Sequence, residues 1–258
     1  MSSLVAPVYG CILVQDQQHA YFESLASRSG PMPTRSASAP PPAISVDDTL
    51  PFQFIAGDVS LDFVNTVDWT SRGPARDRIG SYDRLIEWAL AARVIDESTA
   101  TRLERRAFSR QRDAVGALDR AHSLRWTLRR LVAAIAGNDR AVASVRLPLD
   151  EFNRFVADVY AHVRLTKPAA GVKAPWSPLV WTWDDDPDRL DSPVWPVVRS
   201  AAELLASREV ERLRVCAGGD CGWVYVDRSR NRLRRWCQMA TCGTAEKTRR
   251  RRQRLEEG

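Results

Sequence analysis

The sequence predicts a mainly α-helical protein in which a helical N-terminal domain with a small β element precedes a small cysteine-bearing module. Three observations support this fold class. Apolar residues recur at helical spacing through most of residues 81–205, residues 179–183 alternate as a strand does, and four of the five cysteines fall within 27 residues near the C-terminus. With 258 residues, of which 44% are hydrophobic and 27% charged, the chain is long enough to bury a core.

The first 50 residues are predicted to be a disordered tail. Residues 30–43 are rich in Pro, Ser and Ala and have no apolar period, so they cannot bury enough surface to offset the entropy of ordering them. Apolar density rises abruptly at Pro51, and the helical domain is therefore expected to cover residues 51–208, with a polar loop at 71–78.

Helix boundaries in this domain follow from caps and periodicity. Ser81 can cap a first helix, and a second is expected over 97–107. The clearest helix covers residues 110–136 and stops at Gly137. Asp150 is expected to cap the next helix, whose apolar face is Phe152, Phe155, Val156, Val159 and Val163.

The remaining elements before the cysteines are one strand and one helix. In residues 179–183, Trp181 and Trp183 share a face. Ser192-Pro193 reads as a capping pair that opens a helix with Val197, Ala201, Leu204 and Leu205 inward.

The four cysteines have the spacing of a metal site. They form two pairs, each with four intervening residues, separated by fifteen residues: Cys216, Cys221, Cys237 and Cys242. Zinc takes four tetrahedral ligands, and two close pairs supply them with one chain reversal between. The sequence therefore predicts one structural Zn²⁺, because four thiolates leave no position for a reacting water. The alternative is four reduced or disulfide-linked cysteines.

A β-hairpin is expected between the two cysteine pairs. Residues 222–226 alternate as a strand does, residues 227–231 form a polar turn, and residues 232–237 can return. After Cys242-Gly243 the chain is expected to form a terminal helix that is almost entirely polar. The module is placed at residues 209–258.

Positive charge is concentrated in this module. Residues 211–258 hold 13 Arg/Lys against 6 Asp/Glu, a net of +7, whereas the whole chain has +6. Such a segment suits phosphates, and a solvated basic tail is the alternative. Trp223, Tyr225 and Trp236 can stack on bases, but packing of the zinc module is favoured. The candidate nucleic-acid contacts are Arg228, Arg230, Arg232, Arg234, Arg235, Lys247, Arg249, Arg250, Arg251 and Arg252.

The chain resembles the CGNR zinc-finger family, whose N-terminal part is the ABATE domain. The resemblance rests on residues 214–231 and 234–243 of the finger and on Leu-Asp-Phe-Val-Asn-Thr at 61–66. It extends over about residues 52–254, with one departure, since Thr244-Ala245 follows Cys242-Gly243 where the family has Asn-Arg. The resemblance implies a stress-related transcriptional regulator whose finger binds DNA.

Two functions are therefore expected to compete. In the first, the finger binds DNA and the helical domain senses a ligand or forms a homodimer. Asp62, Asn65 and Thr66 are the candidate ligand-binding set, and the alternative is that they tie a helix start. In the second, the same arginines bind RNA, in association with the ribosome.

Other classes are disfavoured by the sequence. The three histidines fall in the tail or on predicted helices, and no nucleophile motif, phosphate loop or open metal site occurs, so we expect no enzyme. No stretch approaches the ~18 apolar residues of a membrane span. The apolar run before Cys11 has no preceding basic residue and is interrupted by Pro7 and Gly10. A cytoplasmic protein without a membrane partner is expected.

Overall fold

The structure is a computed structural model that describes residues 44–70, 73–137, 142–168, 178–183 and 189–256. In that part of the chain there are seven α-helices and seven short strands. The helices are α1 (Val59–Val64), α2 (Tyr82–Ala91), α3 (Glu97–Ser109), α4 (Gln111–Ala136), α5 (Val142–Tyr160), α6 (Trp195–Ala206) and α7 (Thr244–Glu256). The strands are β1 (Ser45–Val46), β2 (Val67–Thr70), β3 (Gly73–Asp77), β4 (Val163–Thr166), β5 (Val180–Trp183), β6 (Leu213–Val215) and β7 (Val224–Val226). The mainly helical fold class is confirmed.

Helix α4 is the central element of the helical part. Its apolar face is buried through Ala117, Ala121, Leu124, Leu128 and Leu131. Helices α1, α2, α3 and α5 all contact it. The helix predicted over residues 110–136 from periodicity alone is therefore the one around which the others pack.

The predicted cap at Ser81 is confirmed, because its hydroxyl accepts the Arg84 N–H at 3.1 Å. Helix α3 has a cap that was not predicted, since the Asp96 carboxylate accepts the Thr99 N–H at 2.8 Å. At α6 the predicted cap at Ser192 is wrong. A 3₁₀ turn over Ser192–Val194 comes first, and the α-helix begins at Trp195 with Val194 as its N-cap and no side-chain cap hydrogen bond.

The start of α5 differs from the prediction. Asp150 does not cap it, because the helix begins at Val142 and continues through Pro148. Proline removes one intrahelical hydrogen bond, and the apolar side that carries Phe152 and Val159 offsets this by packing, with both side chains at most 3% exposed. The predicted apolar face is thus confirmed except for Val163, which lies after the end of the helix at Tyr160 and begins β4, whereas the predicted cap is wrong.

A three-stranded sheet in the order β1-β3-β2 lies where a polar loop was predicted. β1 pairs in parallel with β3, and the Asp48 carboxylate accepts the Gly80 N–H at 2.9 Å. Residues 44–50 therefore belong to the fold, which corrects the predicted tail boundary at residue 50. Residues 1–43 lie outside the described part.

The predicted strand at 179–183 is confirmed as β5, which pairs antiparallel with β4. Its two tryptophans share a face but differ in environment. Trp183 lies against Trp195, with ring centroids 5.8 Å apart, whereas Trp181 is 66% exposed.

One ion pair is buried inside the helical part. Arg125 of α4 donates Nη1 to Asp77 Oδ1 at 2.8 Å and to the Thr66 hydroxyl at 2.8 Å, and its Nη2 also binds Asp77. Both ion-pair residues are at most 4% exposed. The pair joins β3 to the central helix.

Removing one partner of this pair should destabilise the protein strongly. Asp77→Ala leaves the Arg125 charge buried without compensation, so the free energy of unfolding should fall by about 3–5 kcal/mol in chemical denaturation. Asp158→Ala is the matched control, because it breaks the exposed pair between Arg120 and Asp158 and should cost less than about 1 kcal/mol. Equal losses in the two variants would contradict this role of the buried pair.

No helix among the described residues has the length and apolar character that crossing a membrane requires.

Candidate metal centre and nucleic-acid interface

The four predicted cysteines converge on one point. The Sγ atoms of Cys216, Cys221, Cys237 and Cys242 all lie within 4.8 Å of one another. Cys221 and Cys237 are 3.8 Å apart, and Cys237 and Cys242 are 3.6 Å apart. Four sulfurs at about 2.3 Å from a tetrahedral zinc are roughly 3.8 Å from each other. The donor set and its spacing therefore fit one Zn²⁺.

Backbone N–H groups donate to a sulfur in the first cysteine loop, residues 216–221. The Cys216 sulfur accepts the N–H of Gly218 at 3.4 Å and that of Cys237 at 3.2 Å. A Cβ at Gly218 would lie 3.3 Å from the Cβ atoms of both Cys221 and Cys242. Because Gly218 has no Cβ, the first cysteine loop can close tightly around the sulfurs.

The thiols are too close to ionise together without a cation. The hydrogen bond with Cys216 raises the pKa of Cys221 to about 12, and contacts with Cys216 and Cys221 raise the pKa of Cys237. Like charges at this distance disfavour a second and third thiolate. A bound divalent cation reverses that preference, because it interacts favourably with every thiolate.

The hairpin of the finger has a different partner strand from the one predicted. β7 pairs antiparallel with β6, upstream of the first cysteine, and not with residues 232–237. Asp227 is the reason. Its buried carboxylate accepts the Ser229 N–H at 2.9 Å and the Arg234 N–H at 3.0 Å, and this closes residues 227–234 into a loop.

The three aromatic side chains of the finger pack rather than project. Trp223 and Tyr225 are 7% and 1% exposed, and Trp236 is half-buried. The Tyr225 hydroxyl donates to the Arg234 carbonyl at 2.7 Å. This arrangement favours the packing interpretation over base stacking.

Some cations of the predicted nucleic-acid set form ion pairs within the protein, whereas others do not. Arg228 pairs with Glu209, and Arg249 and Arg250 both pair with Glu246. Arg235 lies over the Trp236 ring at 5.6 Å. Within the finger, the exposed cations that form no ion pair with any described residue are Arg230, Arg232, Arg235, Lys247, Arg251, Arg252 and Arg254.

Arg234 differs from the other cations of the predicted nucleic-acid set. Its Nε donates to the Trp236 carbonyl and its Nη2 to the carbonyls of Ile55 and Cys237. Its guanidinium also lies over the Tyr225 ring, 4.2 Å from the centroid. The side chain is half-buried and joins the segment around Cys237 to the helical part, so its donors are used within the fold.

The predicted ligand-binding set is buried between the helical part and the finger. Asp62 accepts the Ala56 N–H at 2.9 Å. Asn65 donates to the Val224 carbonyl at 2.8 Å and accepts the Val224 N–H at 3.0 Å. Thr66 donates to the Phe63 carbonyl at 2.7 Å. These partners favour the alternative interpretation, in which the motif ties elements together.

Sequence reasoning missed the residues of the helical part that contact the finger. The Trp69 carbonyl accepts the Gly222 N–H at 2.6 Å, and Arg129 lies over the Trp69 ring at 5.2 Å. The sequence signal was the glycine next to Cys221, where a Cβ would lie 2.9 Å from the Trp69 Cβ and 3.0 Å from Arg129 Nη2.

Metal content tests the cysteine site directly. The purified protein should contain one zinc per chain, and Cys242→Ser should lose most of it, because a structural zinc contributes on the order of 10 kcal/mol to a small module. The control is Ser123→Ala, an exposed position on α4. Zinc well below one per chain, measured by elemental analysis of reduced wild-type protein, would refute the assignment.

Asp62 gives the protein a specific pH dependence. Burial raises its pKa to about 6, although the N–H groups of Ala56 and Ile55 oppose the shift. The folded state therefore takes up a proton between about pH 4 and pH 6, so the contribution of Asp62 to stability is greatest below pH 4 and falls as pH rises through 6. Asp62→Asn should remove this pH dependence, and its free energy of unfolding relative to wild type should rise by roughly 2 kcal/mol from pH 4 to pH 7. A constant difference across that range in urea unfolding would contradict the assignment.

Comparison with protein families gives two matches, in the order of the two parts of the chain. The ABATE model, described as "putative stress-induced transcription regulator", matches residues 57–208. The CGNR zinc finger model matches residues 212–255. A search of curated proteins gave no match. Neither family description names an enzyme.

The CGNR match and the cysteine geometry agree on the cofactor, which is one structural zinc ion. The ABATE match covers more than half of the chain and precedes the finger, as the resemblance implied. The chain belongs to the ABATE family and carries a C-terminal CGNR zinc finger.

Proposed function

We propose that the protein is a DNA-binding transcriptional regulator of the cytoplasm. Its finger and α7 contact the phosphates, and its helical part senses a ligand or forms a homodimer. The observation that carries the proposal is the group of exposed arginines without carboxylate partners in the described part of the chain, which flank the zinc site on both the 227–235 loop and α7. Phosphate oxygens are the ligands that such guanidinium groups bind best.

The arginines fall into two groups with different expected roles. Arg251, Arg252 and Arg254 lie on a helix whose burial is confined to Glu246, so they have no fixed geometry to select bases and should bind the backbone. Arg230 and Arg232 lie on a loop closed by Asp227, and Arg232 adopts a left-handed conformation with φ of 53°. A rigid loop of this kind is the better candidate for base contacts.

The helical part offers a place for a small ligand away from the buried motif. A cavity of about 500 Å³ lies between the β4–β5 ribbon and α6, and its walls include Tyr160, Trp181 and Trp183. Cavities of this size with aromatic walls and few polar groups are typical ligand sites. We place the proposed sensing role there, because Asp62, Asn65 and Thr66 are occupied by internal hydrogen bonds.

Salt dependence tests the phosphate contacts. Affinity for duplex DNA should fall with a slope of roughly −0.9 per neutralised phosphate, and Arg251→Ala with Arg252→Ala should reduce that slope by about 2 and weaken all sequences alike. The matched control is Arg105→Ala with Arg112→Ala, which removes the same charge from exposed positions on α3 and α4. It should leave the slope unchanged in fluorescence polarisation.

The same assay separates the competing ligands. Duplex DNA, single strands and structured RNA of equal length should be compared at fixed salt. Tighter binding of RNA would replace DNA by RNA as the target. If the protein binds none of the three below about 50 mM salt, where phosphate contacts are strongest, the proposal fails.

A further inference from the structure

Strand β7 of the finger has hydrogen-bond partners on both edges. On one edge it pairs with β6, with Tyr225 opposite Arg214. On the other edge its partners belong to the helical part. The Val226 N–H donates to the Ala56 carbonyl at 2.8 Å, and Asn65 binds both backbone groups of Val224. The helical part thus takes the place of a third strand beside the finger hairpin.

The side-chain amide of Asn65 carries both a donor and an acceptor, as the open edge of β7 requires. One side chain satisfies an N–H and a carbonyl of the same residue, in an interior where Asn65 is 3% and Val224 0% exposed. Buried backbone groups without partners are strongly unfavourable. Asn65 therefore fixes the position of a strand that begins three residues after the ligand Cys221.

A second contact lies beside a zinc ligand. Arg129 of α4 approaches Gly222, the residue that follows Cys221, so closely that a Cβ there would lie 3.0 Å from its Nη2. Its Nη1 is buried without a hydrogen-bond partner among the described residues. A zinc ion with four thiolates carries about −2, so the cluster compensates the buried guanidinium and the guanidinium stabilises the cluster.

We infer that Asn65 and Arg129, two residues of the helical part, are positioning residues of the zinc site. Asn65 holds the strand that follows Cys221, and Arg129 supplies the positive charge beside the thiolates. Zinc binding and the folding of residues 55–65 are consequently linked, and each must strengthen the other by the same factor. The inference concerns the protein and its metal alone, so it stands or falls independently of nucleic-acid binding.

Zinc transfer from the full-length protein to the chelator 4-(2-pyridylazo)resorcinol tests the two residues. Asn65→Asp, which keeps the size of the side chain but loses the donor, and Arg129→Gln should each accelerate transfer at least tenfold. Arg129→Lys should recover most of the wild-type rate, because it restores the charge. The matched controls Asn153→Ala and Arg154→Gln, both exposed on α5, should stay within twofold of wild type.

A merely structural role is distinguished by a core variant. Leu103→Ala in α3, a buried position away from the cysteines, should lower the melting temperature but leave zinc transfer within twofold of wild type. The inference is overturned if Asn65→Asp and Arg129→Gln release zinc at the wild-type rate. It is also overturned if Leu103→Ala accelerates release as much as they do.

Wild-type protein provides an independent arm in case the variants do not fold. Hydrogen–deuterium exchange should be compared before and after zinc removal by a chelator. Amides of residues 55–65 should lose protection together with those of residues 216–242. Loss confined to the finger, with 55–65 as protected as before, would show that the helical part does not depend on the zinc site.

Discussion

The rest of the structure depends on the need of β7 for hydrogen-bond partners on both of its edges. A buried strand must pair its backbone groups, and a finger with only two short strands leaves one edge open. The helical part closes that edge with the Ala56 carbonyl and the Asn65 amide. The Leu-Asp-Phe-Val-Asn-Thr motif is thereby explained in physical terms. Asp62 holds the backbone of residue 56, and Asn65 holds β7.

The cations in and around the finger fall into an inward group and an outward group. Arg129 and Arg234 lie inward, where Arg129 packs over the Trp69 ring beside Gly222 and Arg234 binds three backbone carbonyls. The cations of α7 and of the 227–235 loop lie outward and are exposed, apart from the half-buried Arg234. A uniformly basic sequence segment therefore contains structural arginines and surface arginines. Only the surface group is exposed, and it is this group that the proposed function uses.

Local patterns were sufficient for α4 and the cysteine site, whereas the starts of α5 and α6 and the contacts between distant segments were not predicted. Helix α4 and the cap at Ser81 follow from short-range spacing. The four thiols were identified because zinc coordination needs close cysteine pairs. In contrast, β3 is polar and short, and it became a strand only because β1 and β2 flank it. The role of Arg234 likewise depends on a carbonyl 179 residues away, which no local pattern contains.

The central claim is that the finger and the helical part form one cooperative unit through β7. Differential scanning calorimetry of the zinc-loaded full-length protein tests this most directly. The account predicts a single transition whose calorimetric and van't Hoff enthalpies agree, as for a two-state domain. Two separated transitions, with the helical part melting at the same temperature whether or not zinc is bound, would contradict it.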